Sequence, residues 1–267
     1  MPIPARTIQE VIDALGHIIA TCEEKGSRQA YFALLYKSMT EAVRDAILAG
    51  HFEDGPRMEK LDVLFANRYL VAWQQHRQGL PATRSWQIAF DAAGDHSLIV
   101  LQHLILGVNT HINLDLGIAA ALTAPGDEIA ALQRDFEKIN NIIATLTGTM
   151  QAKLERIWWP MRLLRRLTKN REQAVIEFSI AKAREGAWAN ANALSQILGP
   201  ARPGSGMGSV DTQLTPKSEA YINTMDEAVA VISRRVARPR RRITKILLSF
   251  VRWWEPREVG RVIELLK

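Results

Sequence analysis

Between residues 129 and 157 the apolar side chains Ile129, Leu132, Phe136, Ile139, Ile143, Leu146, Met150, Leu154 and Ile157 follow one another at steps of three and four. An α-helix with one side against a core puts such a series on a single face, whereas a strand would need steps of two. The spacing predicts a helix over 127–159, about 50 Å long at 1.5 Å per residue. Acidic residues at its start suit the helix dipole, and Pro160 ends or kinks it. A helix of that length with one oily stripe needs other helices to cover it.

The rest of the chain supplies them. Thr7 and Glu10 have the spacing of a capping box, and Ile8, Val11, Ile12, Leu15, Ile18, Ile19 and Cys22 behind them form one helical face that ends near Gly26. Further helices are predicted over 27–50 and 57–78, the second stopping at Gly79-Leu80-Pro81. Helical character resumes near Arg84, pauses at Gly94-Asp95 with Asp95 as the expected N-cap, and runs through a strongly apolar stretch to Thr123. Another helix is predicted over 172–198. Residues 199–215 then carry the Gly, Pro and hydroxyl content of a loop, and Thr215-Pro216 suits an N-cap and first helical position. Pro239 and Pro256 cut the remainder into three short helices.

The fold class that follows is all-α: one large bundle of eight to ten helices with a basic helical C-terminal cap. The expected organisation is a helical core over 1–198, a Gly/Pro-rich loop over 199–217, and basic helices over 218–267 packed on the same domain. With 267 residues, 47% of them hydrophobic and 23% charged, the chain can bury a genuine core and is neither disordered nor fibrous. One cysteine, Cys22, forms no intramolecular disulfide and suits a reducing compartment. The N-terminus lacks the layout of a secretory signal, and no run of about 18 uninterrupted apolar residues occurs. A cytoplasmic location is the expectation.

Charge is unevenly placed. Residues 234–267 hold eleven Lys or Arg against three Glu, a balance of +8 in a chain of net +6, so the first 233 residues carry about −2. Arg234, Arg235, Arg238, Arg240, Arg241 and Arg242 are dense enough to attract phosphate, with Arg240, Arg241 and Arg242 as the candidate anion-binding residues. The apolar face that follows, including Ile243, Leu247, Phe250 and Trp254, suits peripheral contact with an anionic membrane. The plainer reading has Trp253 and Trp254 packing the final hairpin onto the bundle while the arginines pair with surface acids. No nucleic-acid motif is present, and nucleic acid is not an expected partner. Trp158 and Trp159 with Arg162, Arg165 and Arg166 repeat the pattern on a smaller scale.

All six histidines precede residue 112, and His96, His103 and His111 fall on one predicted helix with Asp115 beyond them. At 100° per residue they share one broad face, and Gly107 lies on it between His103 and His111, which implies space above the glycine. His111 and Asp115, four apart, are placed to hold a common divalent ion or to act as an acid/base pair, with His103 assisting. Asn109 and Asn113 are polar in the middle of an apolar helix and need partners, since an unpaired buried polar group costs about 1–3 kcal/mol. Asp62, Tyr69, Asp135, Asn140 and Glu185 border apolar seams and are candidates to complete the site. Arg184, Glu185 and Trp188 are candidates to line one polar pocket. Against this stands the ordinary reading, in which His111 and Asp115 bond one another inside a packed core.

Three stretches carry a resemblance: Phe65-Ala-Asn-Arg-Tyr69; Gln102 through Asp115 with its His-Ile-Asn-Leu-Asp-Leu motif from His111; and Phe178 through Trp188. Together with the ending from Arg252 to Leu266 they resemble an uncharacterised, mainly bacterial, all-helical family of unknown function. That resemblance implies an all-helical fold over most of the chain and draws attention to the same residues, without an activity. A phosphate-binding glycine loop, His-Glu-x-x-His, Gly-x-Ser-x-Gly, Cys-x-x-Cys, paired Glu-x-x-His elements and an aspartate-rich diphosphate site are absent from the sequence.

Two functions follow as expectations. The first is a metal-dependent or acid/base enzyme, hydrolase-like, acting on a small-molecule substrate in a pocket centred on His111 and Asp115; a divalent ion there would activate water. The alternative is a non-catalytic helical scaffold whose basic C-terminal helices bind an anionic membrane or partner.

Overall fold

The computed structural model describes residues 4–157, 171–200, 214–239, 248–249, 251–253, 255–256 and 258–267, with the backbone alone over 144–157 and 171–179. Among these residues ten α-helices can be bounded and no strand occurs. They are α1 (Ile8–Glu24), α2 (Ala30–Leu48), α3 (Gly55–Arg77), α4 (Arg84–Ala92), α5 (Val100–Thr110), α6 (Gly117–Thr123), α7 (Ile129–Ile157), α8 (Arg171–Leu198), α9 (Pro216–Ala237) and α10 (Val259–Leu266). The all-helical bundle read from periodicity is the observed fold.

Helix ends follow local chemistry. Thr7 caps α1 by accepting the Glu10 N–H at 3.2 Å. The reciprocal half of the box is absent, because the Glu10 carboxylate accepts the Arg6 N–H instead. Thr215 caps α9, with Pro216 in its first position. Gly79, at φ +71°, supplies the left-handed residue that stops the chain after α3. Asp95 is not an N-cap: its carboxylate accepts the N–H and hydroxyl of Ser97, and α5 begins only at Val100. That end is held by Glu255, both of whose oxygens accept the Val100 N–H. Asp226 of α9 does the same for α4, accepting the N–H groups of Arg84 and Ser85. Acids from the C-terminal part thus bind the first turns of two earlier helices.

The core has two main parts. One is built by α1, α2, the second half of α3, α4, the start of α5 and Val262, Ile263 and Leu266 of α10. The other joins the end of α2 and the start of α3 to α6, α7, α8 and α9. Residues 100–123 run through both as one continuous helix whose middle, His111–Leu116, is a turn of π-helix. This stretch is long and apolar enough to span a bilayer, yet 78% of its most apolar window is buried inside the bundle, so it serves as the core helix.

The seam of α7 reaches the core through Ile129, Leu132 and Phe136, while Ile139 is half-buried. The side chains of Leu146, Met150, Leu154 and Ile157 lie outside the described residues, as do Trp158, Trp159, Pro160, Arg162, Arg165 and Arg166. Arg240, Arg241, Arg242, Ile243, Leu247, Phe250, Trp254 and most of the 199–215 segment also lie outside them. Trp253 is 71% exposed.

Candidate functional site

The π turn places the motif residues. Its hydrogen bonding runs i→i+5 in place of i→i+4, and residues four apart within it still share one side. Asn109 and Asn113, each two residues from His111 and so about 200° from it around the helix, look elsewhere: Asn109 donates to the Val229 carbonyl and the Ser233 hydroxyl of α9, and Asn113 donates to Asn109. They tie the core helix to α9 and have no part in the histidine site.

His111 and Asp115 meet, with Nδ1 and Oδ2 at 3.1 Å. Asp115 is wholly buried, and its remaining capacity goes to Arg68 Nε at 3.2 Å on Oδ1 and Trp86 Nε1 at 2.8 Å on Oδ2. A carboxylate only accepts, so His111 carries its proton on Nδ1 and leaves Nε2 as a bare lone pair. Nε2 is buried and has no hydrogen-bond partner. Burial pushes the imidazole below its usual range, against the upward pull of the Asp115 bond and with a smaller downward push from Arg68, so the ring is neutral at neutral pH.

Aromatic rings enclose this imidazole. Phe65 stacks on it at 3.6 Å and 9°, Tyr36 meets it edge-on at 4.3 Å, and Phe32, Trp86 and Tyr69 stand at 5.6, 6.0 and 6.4 Å. The hydroxyl of Tyr69 is buried without a partner; that of Tyr36 also lacks one in bonding geometry, its neighbour Thr40 donating to the Tyr36 carbonyl. Burial holds both phenols well above their ordinary range, so both remain O–H donors.

Asp62, on the same helix as Phe65 and Tyr69, faces Tyr36 closely enough for its charge to act on that phenol. Its Oδ2 is buried and unpartnered. Burial, with Glu59 adding to it, pushes the carboxyl up to about 7. The sequence-derived set therefore divides: His111, Asp115, Tyr69 and Asp62 gather around one aromatic cluster, and the rest stand apart.

His103 lies on the other side of Phe32. It borders a small cavity of about 20 Å³, room for one water, whose lining also includes Arg28, Phe32, Tyr69, Trp86, Phe90 and Gly107. The space expected above Gly107 is occupied: a Cβ there would stand 2.4 Å from the Phe32 ring. Glycine at 107 lets that ring lie against the core helix. Asp135 is a loop anchor, accepting the N–H groups of Glu53 and Asp54 and the Lys138 ammonium; these outweigh its desolvation and hold it below the usual carboxylate range. Arg184 donates to Asn140 and the Phe136 carbonyl, and Trp188 packs on Phe136. Glu185 is exposed and pairs with Lys182, so Arg184, Glu185 and Trp188 do not line one pocket.

A divalent ion does not suit this donor set as arranged. Both Asp115 oxygens are taken by protein donors, and among the described residues no group of three or more His, Cys, Asp or Glu stands close enough to share an ion. What the arrangement offers is proton chemistry: a neutral imidazole oriented by a carboxylate, a carboxyl raised toward neutrality, and phenols as donors.

Sequence reasoning missed Tyr36, Phe32, Arg28, Arg68, Phe65 and Trp86 as members of these sites. A signal existed for two of them, since Phe65 and Arg68 lie inside the Phe65-Ala-Asn-Arg-Tyr69 stretch that carried the resemblance. For Trp86 and Phe32 nothing distinguishes the sequence from ordinary core packing.

No curated protein and no solved structure matches the chain. Residues 8–239, which include the π turn, its aromatic surround and the cavity lining, match the model of a family of unknown function (DUF5995), and the chain belongs to that family.

Proposed function

We propose that the protein is an acid/base enzyme of hydrolytic type, with His111 as the base, Asp115 orienting it and Asp62 as the acid. The observation that carries this reading is the buried, unpartnered Nε2 lone pair of an imidazole whose other nitrogen is held by a carboxylate. An imidazole so held has one tautomer and one direction, the form required of a general base. In the reaction, Nε2 takes a proton from water as the water oxygen bonds to the substrate carbonyl carbon. Tyr36 and Tyr69 donate hydrogen bonds to the oxyanion, and the protonated Asp62 gives its proton to the leaving oxygen. Exchange with solvent then returns both groups to their starting states.

The site is closed by its aromatic rings, so substrate entry requires one of them to move. The test is a panel of small activated carboxylic and phosphoric esters presented to the full chain and to His111→Gln and Asp62→Asn. The expected result is turnover of at least one ester, lost by about 100-fold or more in His111→Gln with helicity and melting kept. Absence of any turnover, or turnover unchanged in both variants, overturns the reading.

The second proposal is the non-catalytic scaffold that binds an anionic membrane through its C-terminal part. It draws on the tight enclosure of His111, which suits a core tie, and on the exposed Trp253 beside Arg252. Co-sedimentation with vesicles rich in anionic lipid, for the wild type and for a variant with Arg240, Arg241 and Arg242 changed to Gln, tests it: binding lost in the variant supports it, and no binding by the wild type removes it.

A further inference from the structure

The cavity next to the histidine site has an unbalanced charge on its wall. Arg28 is 6% exposed, and among the described residues no carboxylate lies within ion-pairing distance of it. Two of its five N–H groups are engaged, one by the Ala93 carbonyl at 3.2 Å and one by His96 Nδ1 at 2.8 Å, neither of them a carboxylate. Glu255 is near enough to feel the guanidinium, yet both its oxygens face the Val100 N–H. Buried cations in folded proteins are ordinarily paired. On the same cavity wall stands His103, whose Nε2 is buried and unpartnered. Burial, helped by the Arg28 charge, holds that imidazole neutral, so it can offer an N–H without adding charge.

The remaining walls are shared with the histidine site. Tyr69 and Phe32 border the cavity and also touch the His111 ring, and Trp86 borders it while donating to Asp115. We infer that this cavity binds the carboxylate group of a small organic acid, gripped by the free N–H groups of Arg28 and by His103 Nε2–H, with the rest of the molecule lying toward His111 along the Phe32 and Trp86 rings. A planar carboxylate matches a guanidinium fork, and flat rings match a small planar body. The space present holds one water, so the ligand enters as Phe32 leaves its seat on Gly107, which opens the cavity toward the imidazole. This names a substrate class for the proposed acid/base site and rests on that reading only in its placement of the reacting end; the carboxylate grip stands or falls separately.

The experiment is a titration of the full-length protein with acetate and with benzoate, against chloride and inorganic phosphate, followed by the imidazole resonances of His103 and the indole resonance of Trp86. Saturable shifts with the two carboxylates, and none with chloride or phosphate at equal ionic strength, are the expected result. Affinity is expected to fall at least about tenfold in Arg28→Gln and in His103→Leu. His103→Leu breaks no bond to Ala93, so it serves if Arg28→Gln fails to fold. Equal shifts with all four anions, no shift in the wild type, or full affinity in His103→Leu would overturn the inference. Loss of ester turnover in His111→Gln with no carboxylate binding would remove the substrate class and leave the base. Carboxylate binding with turnover indifferent to His111 would do the reverse.

Discussion

Asp115 in the π turn and Asp62 on α3 border the same aromatic cluster, and they are held in opposite ways. Asp115 accepts from Arg68, Trp86 and His111; Asp62 has an oxygen with no partner and a carboxyl pushed by burial to about 7. The two carboxyls share depth and differ in donors, and it is the donors that decide whether a buried acid stays charged or keeps its proton.

The largest effect is expected from breaking the satisfied member. Asp115→Ala strands a guanidinium, an indole N–H and an imidazole N–H, and should cost about 3–5 kcal/mol of stability in urea denaturation. A loss near zero would show that the three bonds are not made together.

Asp62 is expected to behave in the reverse sense. A carboxyl raised from 3.8 to about 7 on folding gives stability that is fully present below about 4 and lost as pH rises through 7. Asp62→Asn removes that loss, so the variant should gain on the wild type by about 2–4 kcal/mol between pH 4 and pH 8. Parallel stability curves for the two proteins would refute the buried charge.

Arg68→Met removes the guanidinium that Asp115 accepts from and leaves Oδ1 without that donor, as Asp62 Oδ2 is without one. It should cost about 1.5–3 kcal/mol at pH 8. The cost is readable by thermal melting, and a melting point equal to the wild type's would show that the Arg68–Asp115 bond adds nothing to stability.

The smallest effect falls on His103, where the sign is opposite to that of Asp62. Its folded titration drops to about 4 from 6.5, so stability is full above 6.5 and falls as pH goes down through 4. His103→Phe should flatten that limb by about 1–2 kcal/mol. An unchanged acid limb would place the imidazole in water.

Reading the chain alone located much of this. The His111–Asp115 pair was visible from four-residue spacing, because neighbours one turn apart are set by local geometry. Asp62 and Tyr69 were visible as polar residues on apolar seams. Asn109 and Asn113 flank His111 two residues away on either side, which at 100° per residue puts both about 200° from it, so spacing alone already sets them on the far side of the helix, where they meet α9. Gly107 was correctly singled out and wrongly interpreted: a missing side chain shows that something comes close, and the identity of that neighbour, Phe32, lies 75 residues away.

Helices, their ends and their buried faces were legible because they depend on hydrogen bonds and periodicities a few residues long, as at Thr7, Gly79, Thr215 and the Ile129–Phe136 seam. The choice of partners was made only by packing. Arg68 and Trp86 reach Asp115 from α3 and α4, Glu255 reaches the start of α5 across 155 residues, and Arg28 faces a cavity without an ion pair among the described residues. Such pairings depend on which helix faces meet and at what depth, and that is a property of the three-dimensional assembly, with no counterpart in short-range spacing.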